Sequence, residues 1–308
     1  MTIKRREFLK ATAAGGALMV AGSQSASAST GGEHIPPKAV GILYDSNLCI
    51  GCQACMTACK DANDMPPEHS GTNTTWDNPL DLSAKTLNVI KMYRDGDNYA
   101  FIKRHCQHCL DPACVNACPV SALVKNRETG VVTYDASACI GCRYCQVACP
   151  YNVPKFEWNS PFPKIQKCQL CDHLFEQGRY SHCCESCPTG ASLFGPVEQL
   201  KMEAERRLQM EPGKQYDFPV NNIENGETRR HKAEHYINHI YGSDEVGGSQ
   251  YLILSGTDFN KLGLPDLRER SYVKDLEGIA NTFYKYLIYP VAAFAGLAYL
   301  AKKRDHHE

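Results

Sequence analysis

The chain has 308 residues, enough for a large core or two modest domains with extensions. Its 33 basic and 34 acidic residues nearly cancel, which excludes the strongly basic footprint of a nucleic-acid-binding protein. Cysteine is the outlier: there are 17, an odd number, all between Cys49 and Cys187, and that local cluster argues against a pure disulfide framework.

In chain order, residues 1–28 read as a leader. Arg5 and Arg6 precede Phe8 and Leu9, an apolar stretch too short to span a bilayer follows, and Ala26-Ser27-Ala28 forms an A-x-A cleavage pattern. The paired arginines resemble a Tat signal, which exports folded proteins. "AVGILYD" (39–45) and "YAFIKR" (99–104) are expected strands. "ALVKNRETGVVTYD" is an expected hairpin with arms at 122–125 and 131–134. "ASLF" (191–194) is a candidate partner for the strand near Ile42. A helix is expected over 197–210, ended by Glu211-Pro212-Gly213. Residues 213–248 read as polar and irregular, and "SQYLILSG" (249–256) as one further strand. From Phe283 to Ala301 the only charge is Lys285, at the edge, so 282–301 is long and apolar enough for one transmembrane helix, kinked at Pro290. Lys302, Lys303 and Arg304 follow it, and the positive-inside rule puts the tail 302–308 in the cytoplasm and the body on the other side.

The chemistry lies in four cysteine groups. Cys49, Cys52, Cys55 and Cys59 are spaced C-x2-C-x2-C-x3-C, and Cys139, Cys142, Cys145 and Cys149 repeat that spacing 90 residues later inside a repeated "YD…CIGC…C…AC" frame. This is the bacterial ferredoxin run for 4Fe-4S clusters. Three close thiolates wrap one corner of a cube, and the fourth reaches a different cluster. Gly51 and Gly141 let the loop turn tightly around iron and sulfide. Cys106, Cys109, Cys114 and Cys118 form a widened variant, and Cys168 and Cys171 precede a long gap and the stretch "SHCCESCPTG". Zinc is the alternative metal, but paired C-x2-C knuckles would suffice for it and leave the third and fourth cysteines without purpose. No C-x-x-C-H haem site and no G-x-G-x-x-G dinucleotide motif occurs, and no catalytic constellation is evident.

Crossed ligation then pairs the groups. Cys106, Cys109, Cys114 and Cys149 are expected to hold one cluster, and Cys118, Cys139, Cys142 and Cys145 another. The outer groups would pair around them: Cys49, Cys52 and Cys55 with Cys187, and Cys168 and Cys171 with Cys59 and one of the neighbours Cys183 and Cys184. The recurring C-x3-C ending favours Cys183, and sixteen ligands for four 4Fe-4S clusters leave Cys184 as the bystander. His105, His108 and Arg143 flank ligands and either tune a cluster or simply pack; no ligand role is assigned to them.

The segments "YDSNLCIGCQACMTACK", "CQHCLDPACVNACPVSAL", "GCRYCQVACPYNVPK" and "KCQLCDH" resemble the four-cluster subunits of membrane-bound respiratory oxidoreductases, from about Gly41 to Gly195. With twin arginines before and one anchor after, the chain resembles the HybA-like iron–sulfur electron-transfer subunits of hydrogenase-2-type NiFe hydrogenases. The other relative is the beta subunit of periplasmic formate dehydrogenase or related molybdopterin oxidoreductases. One departure is Lys60 after Cys59, where the other runs have proline.

The resemblance implies an α+β fold: two interleaved bacterial-ferredoxin-like units, each with two 4Fe-4S clusters, plus one C-terminal transmembrane helix. The outer unit would span 39–105 and 160–210, the inner unit 106–159, and an extension 211–281 would lead to the anchor. The implied role is relaying electrons, without an active site of its own, from NiFe hydrogenase small and large subunits to an integral membrane quinone-reactive subunit. The implied location is the periplasmic side of the bacterial cytoplasmic membrane, held to the lipid bilayer by the C-terminal helix.

Overall fold

A computed structural model describes residues 35–69, 79–159, 163–275 and, in the C-terminal stretch, residue 294 alone. The leader at 1–28 and the anchor at 282–301 lie outside the described residues, apart from that one position. Among the described residues no helix is long and apolar enough to cross a membrane.

The elements run β1 (Val40–Asp45), α1 (Ala54–Ala62), β2 (Val89–Asp95), β3 (Asn98–Arg104), α2 (Ala113–Asn116), β4 (Leu123–Lys125), β5 (Val132–Tyr134), α3 (Tyr144–Ala148), β6 (Lys155–Phe156) and β7 (Ile165–Gln166). They continue with α4 (His182–Glu185), β8 (Ser192–Pro196), α5 (Val197–Leu208), β9 (Gln215–Pro219), β10 (Thr228–Lys232) and β11 (Tyr251–Leu254).

The organising element is the sheet β11-β1-β8. Strand β1 is apolar from Ile42 to Tyr44 because it is central and buried on both faces. It pairs antiparallel with β8, Ile42 opposite Phe194, as expected from "ASLF". Its other neighbour is β11, parallel, with Leu43 opposite Leu252. Gly41 is required by close approach: a Cβ there would lie 2.1 Å from the Gln250 carbonyl oxygen.

The two-residue period of the strands sorts the core. Leu43, Leu193, Leu252 and Leu254 pack with Leu200 and Ala204 of α5. Ile42, Tyr44, Tyr251 and Ile253 belong to the other core, which contains Cys55, Cys106, Cys183 and Cys184. The sheet thus has a helix on one face and thiols on the other. A third core of Leu123, Val132, Phe156 and Ile165 packs with Cys145, Cys114 and Cys118.

Helix α5 buries Val197, Leu200, Glu203, Ala204 and Arg207, an i, i+3, i+4 stripe. Arg207 is wholly buried on that stripe because Asp45 at the end of β1 (2.9 Å) and Glu203 (2.8 Å) neutralise it. Asp45 also accepts from the Tyr236 hydroxyl (2.7 Å) and from the Asn47 backbone N–H (3.0 Å). The helix therefore fixes the point where β1 turns into the first cysteine loop.

Two features differ from the sequence reading. Residues 213–248 are not uniformly irregular: β9 and β10 form an antiparallel hairpin, Phe218 opposite Arg229. Strand β2, which carried no expectation, pairs with β3 along its full length. The hairpin expected at 122–134 forms, with Leu123 opposite Tyr134.

Candidate metal centres

Local chain geometry shapes the four C-x-x-C loops alike. The residue before the second cysteine is left-handed every time: Gly51 (φ 67°), His108 (φ 46°), Gly141 (φ 71°) and Leu170 (φ 57°). Glycine enters this region freely, whereas His108 and Leu170 carry a cost of roughly 1–2 kcal/mol each. Gln53 and Arg143, equivalent in the repeat, are left-handed too (φ 60° and 67°). Such turns aim successive backbone N–H groups inward, a concave surface suited to an anionic cluster. Sequence reasoning found the two glycine loops; nothing in a histidine or leucine marks the same conformation.

The third cysteine of each ferredoxin run sits on the helix that follows, Cys55 on α1 and Cys145 on α3. Cys59 lies one turn further along α1, while Cys118, Cys149 and Cys187 lie just beyond short helices. The fourth cysteine is thereby carried away from its own loop.

Cys49, Cys52, Cys55 and Cys187 line one hollow, with Tyr44, Ile50 and Ser192. Cys118, Cys139, Cys142 and Cys145 line another, with Tyr134 and Ile165. In the other two sets the thiols lie close enough to influence one another's ionisation. Burial pushes the Cys59 thiol well above its usual range, and the next contributions come from Cys168, Cys183 and Cys171. Burial likewise raises Cys109, followed by the charges of Cys149, Cys106 and Cys114. Each of the four expected sets is therefore brought together by the fold.

Neighbouring sets also touch. The Cys55 thiol, pushed up to about 12 by burial, feels Cys183. Cys168 feels Cys106. Cys114, also pushed up to about 12 by burial, feels Cys145. Each set therefore has a neighbour: the Cys49 set borders the Cys59 set, the Cys59 set borders the Cys106 set, and the Cys106 set borders the Cys139 set.

At the adjacent cysteines the fold discriminates. Cys183 is a neighbour of Cys59, Cys168 and Cys171. The Cys184 thiol is hydrogen-bonded to Cys183 and, with the Lys103 ammonium, holds the Cys183 thiol below its usual range despite burial. Cys184 is fully buried, and burial followed by that same bond pushes it up. Of the two, Cys183 is the one whose sulfur the Lys103 ammonium contacts, at 3.0 Å.

The donor set fits an iron–sulfur cube. Burial raises Cys55, Cys59, Cys109, Cys114 and Cys168, and such thiols ionise only when a cation compensates them. Backbone N–H groups already point at sulfur: Ser192 to Cys187 (3.4 Å), Ala122 to Cys118 (3.2 Å) and Leu170 to Cys168 (3.3 Å). The Tyr134 hydroxyl is buried beside the Cys139 thiol and borders the hollow. Among the described residues, no three Cys, His, Asp or Glu side chains gather tightly enough to hold a single metal ion. Thiols spread around a hollow suit a polynuclear cluster better than one zinc ion.

The flanking residues take different parts. His105 donates from Nδ1 to the Cys106 carbonyl (2.7 Å) and packs at a tilt against Tyr251, ring centres 4.0 Å apart. Burial and the Lys103 charge lower it to about 3, so it is neutral. His108 Nδ1 accepts from the Val132 N–H (3.0 Å). Arg143 lies over the Trp158 ring at 4.2 Å and over Phe156 at 4.9 Å, which accounts for it by packing. Sequence reasoning missed three buried or nearly buried lysines. Lys103 reaches Cys183 Sγ (3.0 Å) and Ser192 Oγ (3.2 Å). Lys125 reaches the Cys109 carbonyl (2.7 Å), and Lys167 the carbonyls of Cys168 (3.0 Å) and Val132.

Residues 98–197 match the 4Fe-4S dicluster domain family. The chain is 42% identical to the hydrogenase-2 operon protein HybA of Escherichia coli O157:H7, over 99% of this chain and 98% of the relative. It is 32% identical to the formate dehydrogenase iron-sulfur subunit of Haemophilus influenzae, over 83% of this chain and 76% of the relative. The iron-sulfur subunit of nitrate-inducible formate dehydrogenase of Escherichia coli is 36% identical over 54% of this chain and 57% of its own length.

Proposed function

The chain belongs to the family of HybA-like iron–sulfur electron-transfer subunits, and from that premise we propose that it carries four 4Fe-4S clusters in a row. Cys49, Cys52, Cys55 and Cys187 would hold the first, Cys59, Cys168, Cys171 and Cys183 the second. Cys106, Cys109, Cys114 and Cys149 would hold the third, and Cys118, Cys139, Cys142 and Cys145 the fourth. When bound, each cluster supplies a one-electron relay whose potential depends on charge, hydrogen bonds and solvent exposure. The observation that carries the reading is the gathering of the thiols: Cys49, Cys52, Cys55 and Cys187 line one hollow, Cys118, Cys139, Cys142 and Cys145 line another, and Lys103 with Ser192 spans from Cys187 to Cys183 of the neighbouring set.

The protein's work is spacing and tuning. The interior sets contain the buried Cys59, Cys106, Cys171 and Cys183, with Cys109 and Cys168 half-buried. The terminal sets come to the surface beneath exposed apolar residues, Ile50 (62% exposed) at one end and Ile140 (65%) with Val147 (84%) at the other. Apolar side chains over a terminal relay suit docking of redox partners.

As a member of a multisubunit oxidoreductase complex, the chain would take electrons from the small subunit of a NiFe hydrogenase, with its large subunit behind it, and pass them to an integral membrane quinone-reactive subunit. The Tat-type leader, the apolar segment 282–301 and the basic residues after it support a body at the periplasmic face, anchored once in the lipid bilayer with a cytoplasmic tail. The likeness to formate dehydrogenase iron–sulfur subunits keeps a molybdenum partner as the second reading.

The test is to purify the complex from detergent-solubilised membranes and identify its metals. A nickel-containing partner supports the hydrogenase reading; a molybdenum-containing partner overturns it in favour of the second.

A further inference from the structure

We propose that Lys103 is a shared cation wedged between the first two thiol sets, raising the reduction potential of the two clusters they hold. The proposal rests on the reading of those sets as cluster ligands. Lys103 lies on β3 and is fully buried. Its Nζ is 3.0 Å from Cys183 Sγ, in the second set, and 3.2 Å from Ser192 Oγ. The Ser192 backbone N–H donates in turn to Cys187 Sγ (3.4 Å), in the first set. Two residues therefore span from a ligand of one cluster to a ligand of the next.

The backbone of Lys103 is held so that the side chain has little choice of direction. It pairs with Ile90 across β2–β3, and its carbonyl accepts from the Tyr251 hydroxyl (2.9 Å). Lys103 faces the thiols of Cys183, Cys184 and Cys55 and the Tyr251 hydroxyl. Lys125 and Lys167 differ in geometry, since their ammonium groups donate hydrogen bonds to carbonyl oxygens where Lys103 reaches sulfur.

Removing an ammonium from water is costly unless an anion replaces the solvent. A lysine that served only to fill space would be less costly as methionine. A cluster with four thiolates gains negative charge on reduction, so a fixed positive charge a few ångströms away stabilises the reduced form more than the oxidised one. A hydrogen bond to ligand sulfur acts in the same direction. Because Lys103 touches the second set directly and the first through Ser192, both potentials should respond, and the third and fourth should not.

The experiment is an anaerobic redox titration of the detergent-purified complex by electron paramagnetic resonance. It compares wild type with Lys103→Met, Lys103→Gln and Lys103→Arg. Iron and acid-labile sulfide are counted first: too few clusters in the wild type would sink the ligand reading, independently of the lysine. With full iron, the neutral variants should lower two potentials so that the reduced-to-oxidised ratio at a fixed potential falls at least tenfold, 59 mV for a one-electron couple. Lys103→Arg should restore most of this. The signal missing from Cys183→Ser identifies one of the two clusters. Four unmoved potentials at full iron would overturn the proposal. So would loss of iron in both neutral variants with retention in Lys103→Arg, since the charge would then serve assembly.

Discussion

The most stringent structural prediction concerns the aspartate at the head of each repeat. Asp45 and Asp135 occupy equivalent positions and make the same local turn, accepting from the Asn47 N–H at 3.0 Å and the Ser137 N–H at 2.7 Å. Only Asp45 is buried, against a buried Arg207 at 2.9 Å. Asp45→Asn keeps the size and the turn acceptor but removes one of the two carboxylates that neutralise the buried guanidinium. Breaking a buried pair costs about 3–5 kcal/mol. Arg207 retains Glu203 at 2.8 Å and the Phe218 ring at 4.9 Å, which places the loss at the lower end, about 3 kcal/mol. At roughly 2–4 °C per kcal/mol, the melting temperature should fall by about 6–12 °C. The assay is far-UV circular dichroism of the purified complex at one scan rate, with Asp135→Asn as the matched control. Asp135→Asn should melt with the wild type, because its side chain is solvated. Equal melting of Asp45→Asn and wild type would refute the claim that this ion pair clamps the first cysteine loop to α5.

Three further outcomes are expected. Cys183→Ser should reduce iron from about sixteen to about twelve per chain, while Cys184→Ser should leave it unchanged; the reverse pattern would exchange their assignments. Gly51→Ala should lose more iron than Gly141→Ala. Both positions are left-handed, but a Cβ at 51 would meet the Phe101 ring at 2.4 Å, against 3.2 Å to the Pro163 carbonyl at 141; equal loss would remove the steric argument. At Glu203 burial raises the pKa, but Arg206 and Arg207 outweigh it and hold the carboxyl below its ordinary 4.5. Its stabilisation is present above that pH and lost as pH falls through the folded value, so Glu203→Gln should destabilise the neutral protein and flatten the acid branch of its stability curve. An acid branch unchanged in the variant would count against the assignment.

Much of the site was legible because ligand chemistry restricts spacing. The "CIGC" loops, the shift of 90 residues between them, the C-x3-C endings and the adjacent pair Cys183-Cys184 are visible in the chain itself. Strand β1 and its partner β8 were legible as apolar runs bounded by turns. Other features leave no local signal. The parallel partner β11 lies some 200 residues from β1, and pairing at that distance is set by the whole fold. The hairpin β9–β10 hides because "TRRHK" is polar throughout and mostly exposed, so no alternation announces it. His108 and Leu170 adopt the glycine conformation under tertiary constraint. Lys103 looks like an ordinary strand lysine, and only the thiols converging on it from α4 and α1 explain its burial.

The central claim is four cubes in one chain. Native mass spectrometry of the anaerobically purified complex, with this subunit ejected intact in the gas phase, measures it directly. The account predicts the polypeptide mass plus four 4Fe-4S units, falling by one unit in Cys183→Ser. A wild-type subunit carrying fewer than four, or carrying zinc without sulfide, would contradict it.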